Sequence, residues 1–381
     1  MRIGLIAHHV APIRAPFGGG VESFTWYLGR WLARRGHDVV MYAPPGSDVP
    51  GVELRPLELH ATVSETARSD VSMPPEAFMA AHHAYMQAML ELASEHHRYD
   101  LIHSNTLHYL PIGMAPLLSV PLLTTLHTPP TPWLESALRQ ASRHQLPPLS
   151  AVSTATRDAW SDVAPQIAVV PNGIDTRRWR RGPGGTGAVW TGRLVPEKAP
   201  HLAIDACRRG GIPLRIAGPI IDREYWAAQV APRLGGGIEY VGHLDHDELR
   251  TLIGSSRVAL VTPVWDEPFG LVAAEAMACG TPIAGFARGG LPDLVGDAGG
   301  RLTAGRDADA LLTAIGDAWD LDRAGVREHA VRTVGIDAMG RGYERLYRTL
   351  TSADRREAPT PTPTASRRRL RRAPVPLSAA S

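Results

Sequence analysis

Short apolar runs alternate with helical patterns of apolar residues along most of the chain. The first unit begins with the run "RIGLIA" at 2–7, continues through residues 20–37 and closes with "DVVMYAP" at 38–44. The middle segment places five apolar side chains on one helical stripe: Val21, Phe24, Leu28, Trp31 and Leu32. A strand, a helix and a second strand in that order predict a right-handed βαβ unit with parallel strands.

Two series of such units follow one another. The first continues with "YDLIHSN", "PLLTTLHT" and "LSAVS", and each of these runs ends in polar residues. The second follows "IAVVPNGID" and comprises "AVWTGRLV", "PLRIAGP", "IEYVGHL", "VALVTP" and "TPIAGFA". The pattern predicts an α/β protein of two Rossmann-like parallel-sheet domains, at 1–168 and 169–335. Ligands of such domains bind at the carboxyl ends of the strands.

Two segments lack this periodicity. The segment "RRWRRGPGGTGA", at 177–188, is rich in Gly, Pro and Arg, which is typical of a flexible linker. A last helix is predicted at 336–352. Residues 353–381 beyond it are rich in Pro, Thr, Ser and Arg, and are therefore predicted to form a disordered tail.

Composition supports two domains and assigns the basic charge to the tail. The chain has 381 residues, of which 44% are hydrophobic, and a formal net charge of +2. From Arg355 onward there are seven Arg and one Glu, a net charge of +6, so the rest carries 2 − 6 = −4. We expect a solvated tail and no nucleic-acid partner. Peripheral contact of this tail with an anionic membrane surface is the alternative.

Cysteine usage and the first residues indicate the compartment. Cys207 and Cys279 are the two cysteines, and their separation indicates neither a disulfide framework nor a zinc site. The start "MRIGLIAHHVAP" has too short an apolar run for a signal peptide, and no run reaches the ~18 apolar residues of a membrane helix. We expect a cytoplasmic protein, with a location at the inner face of the membrane as the alternative.

Several patterns resemble ligand sites but favour simpler interpretations. "GPGGTG" at 182–187 fits the dinucleotide fingerprint, yet it precedes a predicted strand instead of following one. In "LDHDELR", Asp245 and Glu248 have the spacing of a helix capping box, which explains them better than a metal site does. Three adjacent histidine pairs supply at most one metal ligand each, because neighbouring side chains diverge: His8-His9, His82-His83 and His96-His97. We expect no bound metal.

The stretch "WDEPFGLVAAEAMACGTPIAGF", at 265–286, has two glutamates, Glu267 and Glu275, on either side of an apolar run. Pro268 suits the first position of a helix or the turn before it. Glu267 then lies in a loop and Glu275 about four residues into the helix, roughly 6 Å further along its axis, so they can hold two parts of one ligand. A favourable helix-start charge and an exposed helix residue are the alternative. Three backbone amides are expected at the positive end of the helix dipole: those of Phe269, Gly270 and Leu271.

Other candidates lie in loops at predicted strand ends. Arg193 and Lys198, in "TGRLVPEKAP", can clamp a diphosphate or form a surface pair. The glycines of "FGGGVESF" allow close approach to a phosphate or sugar, or form a tight turn. His127 ends a strand on the same edge, and "VPNGID", which contains Asn172, is a turn near the cleft between the domains. A structural role for either remains open.

These segments together resemble the retaining glycosyltransferases with the GT-B fold, of glycosyltransferase family four and glycosyl transferases group one. The resemblance covers nearly all of residues 1–350 and is carried by segments in the family's order. These are "GGGVE", "TLHT", "VPNGID", "GRLVPEK", "YVGHL" and "EPFGLVAAEAMACGTPIA". It implies two Rossmann-like domains facing across a cleft, with the acceptor on the first, the nucleotide-sugar donor on the second and the helix at 336–352 crossing back to the first.

The resemblance also implies roles for individual residues. Gly19 and Gly20 would approach the donor's diphosphate and the reacting centre from the first domain. Arg193 and Lys198 would neutralise the diphosphate from the second domain, without a metal ion or other cofactor. Glu267 would bind the donor sugar or its phosphate. Because charge separates as the bond to the diphosphate breaks, fixed cations and amides would lower the barrier.

Further residues would complete the donor site by the same resemblance. The amides of Phe269, Gly270 and Leu271 would assist Glu267. Glu275 would accept hydrogen bonds from the ribose hydroxyls, and His127 would face the donor sugar. The backbone around His243 and Leu244 would border the nucleobase, and Asn172 would lie at the same cleft through its motif.

The expected reaction is transfer of a hexosyl unit from a nucleotide-diphosphate sugar to an unidentified sugar, lipid or small-molecule acceptor. A UDP-sugar is the favoured donor and GDP-mannose the alternative. Front-face attack and a covalent intermediate are both compatible with these residues. Two other functions stay open: an epimerase or hydrolase of a nucleotide sugar on the same fold, and a nucleotide-sugar binding protein without turnover.

Overall fold

Two parallel β-sheets, one in each half of the chain, form the framework of the protein. The computed structural model describes residues 1–357 except 60–62, 71, 73 and 74, and for 353–357 the backbone alone. Both sheets are covered by helices, so their inner strands are buried on both faces and most of these read as apolar runs. The predicted α/β architecture of two Rossmann-like domains is confirmed.

The first sheet has seven strands in the order β3-β2-β1-β4-β5-β6-β7. Ile3 of the central strand lies opposite Val39 on one side and Leu101 on the other. Successive strands are added toward one edge of the sheet up to β3 and toward the other edge from β4 onward, so the strand order reverses between β1 and β4. Parallel sheets form a ligand crevice at this position. The strands are β1 (Arg2–Ile6), β2 (Asp38–Ala43), β3 (Glu53–Pro56), β4 (Leu101–Ser104), β5 (Leu122–Leu126), β6 (Leu149–Ala151) and β7 (Ile167–Val169).

The second sheet has six strands in the order β10-β9-β8-β11-β12-β13, which places its crevice between β8 and β11. Three edge strands were not predicted: β3 is short and largely exposed, β7 has three residues, and β13 follows directly on a helix. The strands are β8 (Ala188–Thr191), β9 (Leu214–Ala217), β10 (Ile238–Gly242), β11 (Val258–Val261), β12 (Ile283–Phe286) and β13 (Gly300–Thr303).

The helices lie between the strands in the order that parallel sheets require. Those of the first half are α1 (Gly20–Arg34), α2 (Glu65–Arg68), α3 (Glu76–Glu95), α4 (Leu110–Met114), α5 (Pro132–Ala141) and α6 (Thr154–Ala159). Those of the second half are α7 (Pro200–Gly210), α8 (Arg223–Tyr225), α9 (His246–Gly254), α10 (Leu271–Ala278), α11 (Leu291–Gly299), α12 (Ala308–Trp319) and α13 (Arg323–Val334). The last is α14 (Ile336–Glu357).

Helix α14 packs on the first sheet although it follows the second in sequence. Tyr343 and Tyr347 are fully buried in the core around β1 and α1, and the Tyr347 hydroxyl lies 2.7 Å from Nδ1 of His103 on β4. The chain therefore crosses between the domains twice. The crossings lie side by side, because Ile174 N–H donates to Val334 O (2.8 Å). The helix continues five residues past the predicted end at 352, and the rest of the predicted tail, 358–381, lies outside the described residues.

The segment at 177–188 is not the flexible linker that its composition suggested. Trp179 is 1% exposed and lies in the core of the second domain with α10 and α13. A Cβ on Gly182 would lie 2.4 Å from the backbone of Gly254, and one on Gly185 would lie 2.1 Å from Ser255 O. These glycines allow two backbones to touch, so a composition typical of flexibility here reflects close packing.

We expect Trp179→Ala to lower the free energy of unfolding by about 3–5 kcal/mol, because it leaves a large cavity in the core. Urea denaturation followed by circular dichroism measures the change. Arg180→Ala, at the exposed neighbouring position, is the matched control and should change it by less than about 0.5 kcal/mol. Equal, small effects of the two substitutions would restore the linker interpretation.

Within the described ranges, no helix is both long enough and apolar enough to cross a membrane. Cys207 and Cys279 are both free and buried, and burial raises the pKa of each thiol to about 12. The two thiols are therefore unreactive core residues of α7 and the end of α10.

Candidate functional site

The carboxyl ends of β1, β4 and β5 form one wall of the cleft between the domains. The glycine-rich turn after β1 leads into α1, with Gly19 as the N-cap residue in extended conformation. A Cβ on Gly20 would lie 3.1 Å from Cδ1 of Leu271, the first residue of α10 in the second domain. The structure thus brings the predicted glycine turn against the start of the predicted donor helix.

His127, which follows β5, is buried in this wall. Its Nε2 lies 3.3 Å from Oδ1 of Asn105, and its ring meets Phe24 of α1 edge to face at 4.7 Å. Burial, with a smaller contribution from the positive charge of His8, lowers the pKa of His127 to about 3. The imidazole is therefore neutral at pH 7 and can donate or accept one hydrogen bond to a sugar hydroxyl, but it supplies no charge.

Asn105 was not identified from the sequence as a site residue. It follows β4 directly, at the same sheet edge as His127, and this strand-end position in "YDLIHSN" was the available signal. Its side chain is buried, and Nδ2 has no hydrogen-bond acceptor among the described residues. A buried amide donor beside the cleft is suited to a ligand oxygen.

The opposite wall holds a compact cluster of Lys198, Glu267 and Trp265. The Lys198 ammonium forms an ion pair with the Glu267 carboxylate and lies 5.1 Å from the centroid of the Trp265 ring. Trp265 Nε1–H also donates to Glu267 Oε2 (3.3 Å). Both charged side chains are only partly buried, so they remain accessible from the cleft. A cation, a carboxylate and an indole held together can bind a phosphate and a sugar hydroxyl at adjacent points.

Lys198 stands out in the composition of the chain. It is the single lysine among 40 Lys and Arg residues, so the other 39 are Arg. The chain uses a guanidinium at every other basic position, so the compact ammonium of Lys198 indicates a specific role for this residue. Residue composition shows this, whereas motif spacing does not.

Hydrogen bonds between two loops hold Lys198 next to Glu267. Thr262 Oγ1 donates to Lys198 O (2.9 Å), and Val264 N–H donates to Glu197 O (2.9 Å). These bonds join the loop after β8 to the loop after β11. Ala199 has a left-handed backbone, with φ of 45°, so the chain turns sharply after the lysine before α7 begins.

The backbone of Glu267 is fixed by the loop after β12. Gly290 N–H donates to Glu267 O (2.7 Å). A Cβ on Gly289, which has φ of +57°, would lie 2.2 Å from the same oxygen. Only glycine fits at this position. The support that Gly289 and Gly290 give to Glu267 was not predicted, because the glycines follow Glu267 by more than twenty residues in sequence.

Arg193 lies at the exposed mouth of the cleft, 3.7 Å from Glu197 at the nearest side-chain atoms. Its charge also reaches α1. Burial raises the pKa of Glu22, while a backbone hydrogen bond and the Arg193 charge oppose that rise. Arg193 is therefore close enough to the N-terminal turn of α1 for its charge to act on Glu22, and its exposed side chain is open to solvent.

The predicted amides lie around the start of α10, with one difference from expectation. Gly270 is the N-cap residue, with φ of +98°, and Leu271 is the first helical residue. Phe269 precedes the cap and is buried in the core, and Pro268 lies in the turn before the helix. The helix dipole therefore acts at Leu271 more than at Phe269.

Glu275 is the fifth residue of α10 and faces the first domain. Burial raises its pKa to about 8, and the positive charge of Arg178 limits the rise. Tyr27 of α1 is close enough that its own pKa rises to about 12, through burial and then through the Glu275 charge. Glu275 is consequently not the exposed helix residue of the alternative interpretation. It is protonated in much of the ligand-free protein at pH 7.

The remaining candidates lie apart from this cluster. His243 is exposed after β10, and Leu244 is half-buried against the core of the second domain. Asn172 is buried in the first crossing segment, and its Oδ1 has no hydrogen-bond donor among the described residues. Asp245 and Glu248 form the predicted capping box of α9. Across the described positions, no group of three or more His, Cys, Asp or Glu side chains is arranged to hold a metal ion.

Comparison with known proteins gives consistent results. The family described as "Glycosyltransferase Family 4" matches residues 18–178, and "Glycosyl transferases group 1" matches residues 184–330. The chain is 30% identical to a glycogen synthase of Mycobacterium tuberculosis, over 84% of this chain and 86% of the relative. It is 27% identical to a D-inositol 3-phosphate glycosyltransferase of Streptomyces scabiei, over 89% of this chain and 88% of the relative.

Two solved structures show the same fold. Alr3699/HepE of Anabaena, in complex with UDP and glucose, superposes with a TM-score of 0.71 at 18% identity, over 92% of this chain and 100% of the other. Sucrose-phosphate synthase of Thermosynechococcus elongatus superposes with a TM-score of 0.75 at 23% identity, over 92% of this chain and 99% of the other.

Proposed function

Because the chain belongs to the glycosyl transferases group 1 family and is a glycosyltransferase with the GT-B fold, we propose that it transfers a hexosyl unit from a nucleotide-diphosphate sugar, with retained configuration and without a metal ion. A UDP-sugar is the proposed donor, and GDP-mannose the second candidate. The acceptor oxygen bonds to the anomeric carbon, the bond from that carbon to the diphosphate breaks, and the acceptor's proton leaves with the nucleoside diphosphate.

The observation that carries this proposal is the Lys198–Glu267–Trp265 cluster opposite the glycine turn. Bond cleavage builds negative charge on the diphosphate and positive charge on the sugar ring. Lys198, with Arg193 at the cleft mouth, neutralises the diphosphate. Glu267 can accept a hydrogen bond from the sugar and stabilise the positive ring. The UDP and glucose named in the Anabaena complex support a uridine donor at an equivalent cleft.

Glu275 is proposed to accept hydrogen bonds from the ribose hydroxyls as a carboxylate. His127, being neutral, is proposed to hydrogen-bond a hydroxyl of the donor sugar, and the amide of Leu271 to bind a phosphate oxygen. Gly19 and Gly20 leave room for the diphosphate. The backbone at His243 and Leu244 is proposed to border the base, and Asn172 to contribute from the crossing segment.

Release of nucleoside diphosphate tests the proposal. UDP-, GDP- and ADP-sugars are incubated separately with the protein, first alone and then with mixed sugar, lipid and small-molecule acceptors. We expect one donor to give nucleotide release that at least one acceptor accelerates. A donor that is bound but never consumed would favour the binding-protein alternative, and acceptor-independent release would favour a hydrolase.

We expect the rate of nucleotide release after EDTA treatment to stay within about twofold of the untreated rate. Lys198 and Arg193 are proposed to take the role that a divalent cation plays in metal-dependent enzymes. The same nucleotide-release assay is run after dialysis against EDTA, and again after adding magnesium. Loss of activity that magnesium restores would contradict the metal-free proposal.

Nucleotide affinity should depend on pH through Glu275. Its ligand-free pKa is about 8, and the ribose binds the ionised form, so below pH 8 each bound nucleotide must displace a proton. The Kd for UDP should therefore fall by up to about tenfold per unit as pH rises from 6 to 8, then level off. Calorimetric titration at pH 6, 7, 8 and 9 measures this. The Glu275→Gln protein should show a flat profile, and a slope that persists in it would assign the proton elsewhere.

The same carboxyl affects stability in the ligand-free protein. Its folded pKa lies above the ordinary value of 4.5, so the folded state holds the proton more tightly than the unfolded state does. The contribution of Glu275 to the free energy of unfolding therefore falls as pH rises from 4.5 to 8. Glu275→Gln should remove this decrease in the free energy of unfolding. Urea denaturation at several pH values therefore tests the same carboxyl without any ligand.

A further inference from the structure

A second cleft, of about 350 Å³, lies beside the two crossing segments that join the domains. Its walls come from α1 of the first domain, residues 175–177 of the first crossing, the end of α13 and the start of α14. Ile174 N–H donates to Val334 O (2.8 Å) and Ile336 N–H donates to Ile174 O (2.9 Å), so the crossings form one floor. A molecule bound there contacts both domains at their hinge.

The cleft is strongly positive. Eight charged side chains line it, and six arginines against two aspartates give 6 − 2 = +4. The body of the chain carries a net negative charge, so this concentration of positive charge is local. The arginines are Arg30, Arg34, Arg35, Arg177, Arg332 and Arg341, and the aspartates are Asp175 and Asp337.

Neither aspartate forms an ion pair with any of these arginines, all of which lie in the described part of the chain. Asp337 accepts from Trp31 Nε1–H (2.8 Å), and Asp175 accepts from the backbone N–H of Arg177 (3.0 Å). Among the residues described, Arg35 alone of the six has a carboxylate within ion-pair distance, Glu344 at 3.6 Å. By contrast, the Arg55 guanidinium in the first domain lies within ion-pair distance of three glutamates. Five guanidinium groups in the cleft thus have unused donors.

We propose that this hinge cleft binds a compact small molecule with several phosphate groups. Guanidinium forks match phosphate oxygens two at a time, and the cleft that these arginines line has the size of a small metabolite. Trp31 and Ile336 add an apolar surface for the rest of such a molecule. The concave shape, walled by four elements, fits a small ligand and not an extended polymer or a membrane.

The location gives binding a consequence. Because the contacts come from both domains, the bound anion stabilises the domain arrangement in which Gly20 lies against Leu271. Tyr27 lines this cleft and also lies near Glu275, so the hinge cleft and the donor cleft share one wall.

The test uses sodium tripolyphosphate as the probe and calorimetric titration of the full chain. The double variant Arg193→Met/Lys198→Met serves as the background protein, so that anion binding at the proposed donor site does not contribute to the measured heat. Two triple variants are compared in this background. The hinge variant replaces Arg30, Arg34 and Arg332 by Gln. The matched control replaces three exposed arginines remote from the cleft by Gln: Arg143, Arg223 and Arg306.

We expect tripolyphosphate to bind one saturable site in the background protein. Its Kd should be at least about tenfold higher in the hinge variant, because charged hydrogen bonds to the probe are lost there. In the control variant the Kd should stay within about threefold of the background value. Equal weakening in both variants would mean non-specific attraction by net charge. Absence of saturable binding to the background protein would also overturn the proposal. Either failure leaves the donor-site proposal untouched, since that site is disabled throughout.

Discussion

Replacing Lys198 by Met lowers the rate of nucleotide release by about 10²–10³-fold, the cost of removing one preorganised charge that stabilises a transition state. Methionine keeps an unbranched stem of similar length but cannot neutralise the diphosphate. The loss should be larger than at Arg193, which is more exposed and more loosely held. The substitution also leaves the Glu267 carboxylate unpaired beside the departing diphosphate, which adds to the barrier.

Lys198→Arg separates charge from shape. It keeps the charge but not the compact ammonium, so we expect an intermediate rate. Because Lys198 is the single lysine, an amine-directed acylating reagent should inactivate the wild-type protein and spare Lys198→Arg. Bound donor should protect against inactivation. If the Lys198→Met protein keeps more than a third of the wild-type rate, Lys198 does not neutralise the diphosphate in the transition state.

Glu275→Ala weakens UDP binding by about 10–100-fold, because hydrogen bonds from the ribose to a charged partner are each worth about 1.5–3 kcal/mol. The effect is read as Kd by calorimetry at pH 9, where the wild-type carboxyl, with a pKa of about 8, is largely ionised. Glu328→Ala, at an exposed position of α13, is the matched control and should bind like wild type. If Glu275→Ala leaves the Kd unchanged, the ribose assignment is wrong.

The alternation of apolar runs and helical stripes was enough to predict the inner strands of both sheets, since parallel strands buried on two faces are rich in apolar residues. Strand-end positions likewise drew attention to His127 and Lys198. What the pattern could not supply was contact between loops. Lys198 and Glu267 are 69 residues apart, and their pairing follows from the adjacency of β8 and β11 in the sheet. No local spacing encodes that adjacency.

Glycine was the least informative residue type in the sequence. At 182–187 it suggested a flexible linker, whereas the backbone there packs against α9 with no room for a side chain. At Gly289 the same residue type supports the backbone of Glu267. Flexibility and close approach both require the absence of Cβ, so only the tertiary structure separates them. The hinge cleft was hidden for a similar reason, because its arginines come from four separate segments.

We propose that two carboxylates hold opposite ends of one nucleotide sugar in the cleft. The decisive measurement is a set of parallel calorimetric titrations of UDP and UDP-glucose into wild type, Glu267→Gln and Glu275→Gln. We expect Glu275→Gln to weaken the binding of both ligands equally, whereas Glu267→Gln should bind UDP normally and lose only the additional affinity due to glucose. If Glu267→Gln weakens UDP as much as UDP-glucose, or if neither substitution changes either affinity, the two-point assignment is contradicted.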